Sequence, residues 1–288
     1  MDTQALAAFL AVVDEGSFSA AADAMNLTQP AISKRLASLE QSLQVPVIDR
    51  SQRKLALTDA GTRLLPHARR ILDELHNARL ALSADNAEVG GHLSLIASHH
   101  IGLHHLPAWL RRLNRDYPEI HLGLQFMDSE SAFDRMRKRR AELAFVTLND
   151  AMDRSFEVHA RWDDPMDFVA GNSHPLTRIE TPELADLADY SALLPDPGTA
   201  TYRAISRLFL EADLTLTPEM PTNYLETIKM MTSVGLGWSV LPRSMVDESL
   251  CVLPVDRTVT RVLGAVGLRG RLLSRPARSL LSIVDELR

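Results

Sequence analysis

The sequence predicts two architectures in one chain: a mainly helical, winged N-terminal domain that runs into a long helix, and then an open α/β domain. Three observations carry this. Helix-period apolar stripes dominate the first 87 residues, with only two short β-like runs among them. Gly90-Gly91 then marks a boundary, and beyond it strand-length apolar runs alternate with helical segments. A length of 288 residues also exceeds what one ordinary core organises.

Within residues 3–15, Leu6, Phe9, Leu10 and Val13 recur at helical spacing, and Gly16 ends that helix. Ser17 and Ser19 are candidate N-caps for a short Ala-rich helix through Met25, with Asn26-Leu27 as a tight turn. Thr28 stands where a cap for a third helix belongs. Pro30 falls in the first turn, where a missing N–H loses no intrahelical partner. Ile32, Leu36, Leu39 and Leu43 form its buried stripe. Pro46 interrupts the helix, 47–48 and 55–57 read as short strands, and the loop 51–54 between them is a wing. Thr58 caps a long helix expected to reach about Ala87, in which Leu64, Ala68, Ile71, Leu75, Ala78 and Leu82 recur in steps of four and three. That seam predicts pairing with another helix, most simply from a second subunit. The alternative is an amphipathic helix packed on its own domain.

Beyond Gly91, residues 93–97, 121–126, 143–147, 168–170, 190–194 and 238–241 read as strands. Residues 106–117, 131–140, 202–212 and 225–234 read as helices. Open α/β sheets bind ligands at the C-terminal ends of their strands.

Composition narrows the class. Hydrophobic residues make up 45% and charged residues 24%, as in soluble globular proteins. The opening Met1-Asp2-Thr3-Gln4 has no basic or continuously apolar stretch of a secretory signal, and no apolar run reaches the roughly 18 residues of a membrane span. The single Cys251 allows no intramolecular disulfide and fits a reducing compartment, so a cytoplasmic protein without membrane contact is expected. A net charge of −6, with six Lys/Arg against seven Asp/Glu over residues 1–66, does not by itself indicate nucleic acid. Placement does. Asp2, Asp14, Glu15 and Asp23 precede the third helix, whereas Lys34, Arg35, Arg50, Arg53 and Lys54 lie on or after it, which gives a basic edge.

The face of the third helix opposite Ile32, Leu36 and Leu39 carries Pro30, Lys34, Ala37 and Gln41, with Ser33 beside them. A small polar and basic surface of this kind can enter a major groove, and Thr28 and Gln29 at the helix start suit phosphate oxygens. Read alone, Lys34 and Arg35 are equally a solvated face.

The longer run is more specific. Gly16-Ser17-Phe18-Ser19-Ala20-Ala21-Ala22, then Leu27-Thr28-Gln29-Pro30-Ala31-Ile32-Ser33, and Leu36 to Leu39-Glu40 resemble the helix-turn-helix of LysR-type transcriptional regulators. Asp49-Arg50, the loop with Arg53, and Leu57-Thr58-Asp59-Ala60-Gly61 resemble that family's wing and linker-helix entry, and Ile48 departs from its usual Phe. The resemblance implies a winged helix-turn-helix over 1–58, a linker and dimerisation helix over 59–89, and a two-lobed domain like periplasmic binding proteins over 91–288. Lobe I would hold 91–163 and 265–288, and lobe II 164–264, with crossing strands near 160–162 and 263–268. The last helix, carrying Leu280, Val284 and Leu287, would return to lobe I. It further implies a homodimer or homotetramer joined through the linker helix on a partly palindromic promoter site in double-stranded DNA. Thr28, Gln29, Pro30, Ser33 and Lys34 would meet bases or nearby phosphates, and Arg35, Arg50, Arg53 and Lys54 the backbone.

The resemblance also implies a small-molecule effector between the lobes. Strand ends then nominate Ser98, His99, His100, Ser129 and Thr147 from one lobe, and Thr199, Thr201, Tyr202, Thr222 and Asn223 from the other. Hydroxyls and helix N-termini favour an anionic or zwitterionic ligand, although no Arg stands at these positions. His100 and His104 are four apart and could share a helix face as metal ligands, but no Cys or acidic pair completes a set, so no metal is assigned. Cys251 lacks a catalytic context, Gly235-Leu236-Gly237 is a turn rather than a phosphate loop, and Asp128 and Glu130 pair with nothing in sequence. No cofactor and no enzyme are expected. The rival reading is a solute-binding protein or α/β enzyme with a helix-turn-helix used only for dimerisation.

Overall fold

A computed structural model describes residues 2–49, 55–82, 89–149, 152–216 and 218–287. It divides into two compact units, one holding Met1–Ala87 and Gly270–Leu272 and the other Glu88–Arg269 and Leu273–Arg288.

The first unit begins with α1 (Thr3–Glu15), whose first turn is capped by Asp2 Oδ1 accepting the Gln4 N–H at 3.2 Å. Gly16 closes α1 in the left-handed region at φ +68°. Ser17, rather than Ser19, caps α2 (Phe18–Ala24), its Oγ accepting from Ala20 N at 3.0 Å. α3 (Gln29–Leu43) starts after Thr28 in extended backbone, but the Thr28 side chain makes no capping bond. The expected hydroxyl cap is therefore not formed, and the exposed hydroxyl is available to other partners. β1 (Ile48–Asp49) and β2 (Ala56–Leu57) pair antiparallel, with Val47 a buried residue just before the strand rather than in it. Glu40 fixes their approach, one carboxylate oxygen accepting from Val47 N at 2.9 Å and Ile48 N at 3.3 Å. Leu6, Phe9, Val12, Ile32, Leu36 and Leu39 fill the core.

Thr58 starts α4 (Asp59–Leu82): its Oγ1 accepts from Gly61 N at 3.0 Å and donates to Pro46 O at 2.7 Å. The seam on α4 divides along its length. Ala68 is fully buried, and Leu64 and Ile71 pack against the N-terminal core, so the first half has an intramolecular partner that the sequence did not disclose. Arg69 reinforces it by an ion pair to Asp14 on α1 at 2.8 Å. Ala78 and Leu82 are exposed, Leu82 at 85%. The expected continuation to residue 87 lies outside the described residues.

The second unit is built on one seven-stranded sheet. In chain order it contains β3 (Gly91–Ala97), α5 (His99–His104), α6 (Leu106–Asp116), β4 (Ile120–Phe126), α7 (Ser129–Arg137), β5 (Leu143–Thr147) and β6 (Phe156–Gly171). α8 (Leu184–Ala188), α9 (Ala200–Glu211), α10 (Leu225–Ser233), β7 (Trp238–Pro242), β8 (Leu250–Val252), β9 (Val259–Leu268) and α11 (Arg275–Leu287) follow. The sheet order is β4-β3-β5-β9-β6-β7, with β8 also on β6. β3 runs parallel to β4 and β5, while β9, β6 and β7 pair antiparallel.

β6 and β9 cross between two cores. Leu95, Trp109, Phe145, Leu263, Leu280 and Val284 form one, and Phe168, Ile205, Phe209, Trp238 and Val240 the other. α11 returns to the first, packing on α6 with Leu280 and Val284 buried and Leu287 at the rim.

Two expectations change. Residues 190–194 form no strand; Ala192 makes only isolated bridges, beside a Leu193 N to Trp238 O bond of 2.8 Å. Pro195, lacking an N–H, cannot extend that pairing. β6 joins the expected strand at 168–170 and the expected crossing strand near 160–162 into one, because Asp163, Asp164 and Pro165 break the apolar run without breaking the ladder to β9. The turn into β7 needs both its glycines: Gly235 has φ +85°, and a Cβ on Gly237 would lie 2.3 Å from the Ser191 carbonyl oxygen. Among the described residues no single helix is long and apolar enough to cross a membrane.

Candidate DNA-reading face and effector cleft

Burial of Ile32, Leu36 and Leu39 turns the opposite face of α3 to solvent. Thr28, Gln29, Pro30 and Lys34 are exposed, and Ser33 and Arg35 half-buried. Gln29 Nε2 donates to Ser33 Oγ at 3.2 Å, so two of the nominated base readers hold each other one turn apart. Arg50, Arg53 and Lys54 lie outside the described residues.

In the second unit Ser98, His99, His100, Ser129, Thr147, Thr199, Thr201 and Asn223 come together around one small cavity between the two cores. Ser98 and Thr199 precede the first turns of α5 and α9, and Asp128 caps α7 through Ser131 N at 2.8 Å. Ser129 Oγ accepts the Thr147 N–H at 3.0 Å, and Thr199 Oγ1 accepts from Tyr202 N at 3.1 Å. Asn223 Oδ1 accepts from Asp196 N at 3.0 Å.

Tyr202 and Thr222 are placed differently. The Tyr202 side chain packs against the lobe II core, its hydroxyl donating to Leu216 O at 3.1 Å. Thr222 lines a neighbouring outer chamber of about 320 Å³ with His99, Phe126 and Tyr224. There the His99 ring lies 4.4 Å from Tyr224 and 6.3 Å from Phe126, an aromatic wall at the mouth of the polar cavity.

No arginine stands at the nominated strand-end positions, but one from elsewhere in the sequence reaches the cleft. Arg261 lines the cavity, 6% exposed. It faces Asp164 directly across the β6–β9 ladder, its Nε donating to Asp164 Oδ2 at 2.7 Å. Its Nη1 reaches Thr201 Oγ1 at 3.4 Å, and its Nη2 meets no acceptor among the described residues. Burial opposes the Arg261 charge, and Asp164 supports it. The signal was present in the sequence. Val259, Arg261, Leu263 and Ala265 alternate in phase on one buried face, and an in-phase charge on such a face needs a buried partner.

The histidines also regroup. His104 turns to Glu226, Nε2 to Oε1 at 2.7 Å, and does not complete a site with His100. Donor atoms of His100, His105 and Asp164 instead lie within 4.8 Å of one another. Burial, then the Arg261 charge and His104 and His105, push the His100 pKa from 6.5 down to about 2. Its 3.6 Å contact with Asp164 therefore joins a neutral imidazole to a carboxylate and is no ion pair. Arg261 already pairs with that carboxylate through Oδ2, setting a guanidinium charge beside the three donors and against an entering cation.

Comparison with known proteins matches this geometry. The family model for the bacterial regulatory helix-turn-helix protein, lysR family, covers residues 3–62, and that for the LysR substrate binding domain covers residues 86–288. A relative from Azotobacter vinelandii, an uncharacterized HTH-type transcriptional regulator in the ibpB-leuC intergenic region, is 55% identical over 107 residues, 37% of this chain and 74% of the relative. Among solved structures, full-length OxyR from Pseudomonas aeruginosa superposes with a TM-score of 0.74 at 23% identity, covering 99% of this chain and 97% of the other. Full-length CbnR in complex with its target DNA gives 0.58 at 21% identity, covering 99% of both chains. The protein is thus a DNA-binding transcription regulator with an effector-binding domain, and not an enzyme. The chain belongs to the LysR family.

Proposed function

We propose that residues 1–58 read DNA through the outward face of α3, that 59–89 join subunits, and that 91–288 sense an anionic or zwitterionic metabolite between the lobes. The exposed polar and basic surface of α3, backed by a packed apolar stripe, carries the reading half. Thr28, Gln29, Pro30, Ser33 and Lys34 meet bases or adjacent phosphates. Arg35, Arg50, Arg53 and Lys54 hold the backbone of a partly palindromic duplex. The polar cavity around Ser98, His100, Thr147, Thr199 and Thr201 carries the sensing half, and its buried Arg261 supports an anionic group. Subunits pair through the distal half of α4, in the cytoplasm where promoter DNA is found.

Binding to DNA from upstream of its own gene, titrated at several salt concentrations, tests the reading half. Lys34→Ala should cost about 1–3 kcal/mol and relax sequence preference, whereas Arg53→Ala should weaken binding to all DNA and shallow the salt slope by about one unit. Unchanged affinity and slope in both variants would reject it. A thermal-shift screen of metabolites tests the sensing half. A ligand at a hundred times its Kd stabilises by about 2.7 kcal/mol, and that stabilisation should be lost in Thr147→Val.

A further inference from the structure

The cleft already holds a carboxylate of its own. Glu130, in the first turn of α7, reaches across from lobe I, and its Oε1 accepts the N–H of Ala200 at 3.1 Å. Ala200 is the first residue of α9 in lobe II, and the next cap there is internal, Thr199 Oγ1 taking the Tyr202 N–H. The first N–H groups of a helix have no intrahelical acceptor and attract anions.

A helix start accepts any carboxylate, so this contact alone marks no ligand site. The second observation is Arg261. Its guanidinium lines the same cavity, is 6% exposed, and keeps Nη2 without an acceptor among the described residues. The charge itself is paired with Asp164, but this one buried nitrogen is not satisfied, which is costly and calls for an acceptor. The third observation is space. The cavity between Glu130, Thr199, Ala200 and Arg261 holds about 50 Å³. That is room for a few waters, against roughly 300–1,000 Å³ for small-molecule sites. The aromatic chamber of about 320 Å³ opens beside it and shares His99, Asp128 and Asn223 with it.

We propose that Glu130 is a built-in occupant of the effector site and that the effector carries an oxyanion which displaces it. The incoming group takes the Ala200 N–H and Arg261 Nη2, while the body of the molecule lies against His99, Phe126 and Tyr224. The inference rests on reading the cleft as the effector site and adds the charge of the ligand's head and the residue it must expel. With Glu130 seated, only the fraction of molecules whose carboxylate has swung out is competent, and apparent affinity falls by that fraction. Displacement also cuts a direct tie between the lobes, so occupancy and lobe freedom are coupled through one side chain.

The test uses the full chain with sodium acetate and sodium sulfate as probes, against sodium chloride at matched ionic strength, followed by thermal shift and calorimetric titration. Glu130→Ala should bind at least one of the two oxyanions saturably and at least tenfold tighter than the unaltered protein. Glu130→Gln keeps the acceptor but loses the charge, so it should fall between them; it also carries the test if the Ala variant does not fold. Ala200→Pro removes the shared N–H at a first helical position, where proline is tolerated, and Thr199 before it is already extended. Combined with Glu130→Ala, it should abolish the gain. Folded Glu130 variants that titrate like the unaltered protein would overturn the proposal. If a screened metabolite still bound and lost its effect in Thr147→Val, the cleft reading would stand and only the role of Glu130 would fall.

Discussion

At the scale of single residues, the sensing domain is governed by groups that burial forces into one protonation state. His100 is held near 2 by desolvation and by the Arg261 charge, with His104, His105 and Asp164 around it, and burial lowers His105 too. A histidine whose folded pKa lies below its unfolded 6.5 takes up a proton more readily when unfolded. For His100 this stability is therefore full above about pH 6.5 and drains away as pH falls toward 2, by up to about 1.4 kcal/mol per pH unit, and His105 shifts in the same direction. Denaturant melts at pH 7.5 and 5.5 should show this loss, and His100→Asn should show less of it. An identical slope in the variant would mean the imidazole is not held neutral by the fold. Hydroxyls such as Ser98 and Thr199 were legible in the sequence because strand ends nominate them. Arg261 was missed because it stands within a strand rather than at a strand end; its in-phase place among Val259, Leu263 and Ala265 marks it as buried, but only the ladder to Asp164 shows which partner it meets.

At the scale of elements, β6 and β9 carry an ion pair between two buried side chains, Asp164 and Arg261. Removing one member of the Asp164–Arg261 pair leaves the other charge buried alone, so Asp164→Asn should cost about 3–5 kcal/mol. The double change Asp164→Leu with Arg261→Met should recover much of that loss in equilibrium unfolding. A single variant within 1 kcal/mol of the parent, by this approximate scale, would show that solvent already reaches the pair. The sequence yielded β6 only as two fragments, 160–162 and 168–170, because its charged and proline positions mask period-two alternation over 163–165. The long helix was legible as a seam, but not where that seam changes partner. Leu64, Ala68 and Ile71 are consumed by the domain's own core, while Leu82 faces solvent. If α4 joins subunits by that distal half, Leu82→Glu removes two buried leucines per dimer. The loss is about 3 kcal/mol, more than a hundredfold in dissociation constant. Sedimentation at micromolar concentration should show the smaller species, and an unchanged mass would place the interface elsewhere.

At the scale of the whole molecule, order along the chain was readable because each unit keeps its own pattern. Helical stripes build the first, and strand–helix alternation builds the second. Contacts made across long sequence separations were not readable. Glu130 and Ala200 are 70 residues apart, and nothing local to either announces a meeting. The same holds for His104 and Glu226. Such contacts set which charges share the cleft, and so they decide the chemistry of the ligand more than any motif does.

The shared strands have a mechanical corollary. β6 and β9 are registered from Phe156–Leu268 to Met166–Val259, with a single irregularity between Val158 and Ala160, and both cores are strung on them. A hinge of two flexible linkers would let the halves swing freely. A continuous hydrogen-bonded ribbon resists bending in its plane and yields chiefly by changing its twist. The expected ligand-driven motion is then a rotation of one half against the other about the ribbon, like torsion in a short bar, with its stiffness set by backbone pairing. Amide exchange along 160–166 should stay slow in every ligation state, while the rims of the cleft change.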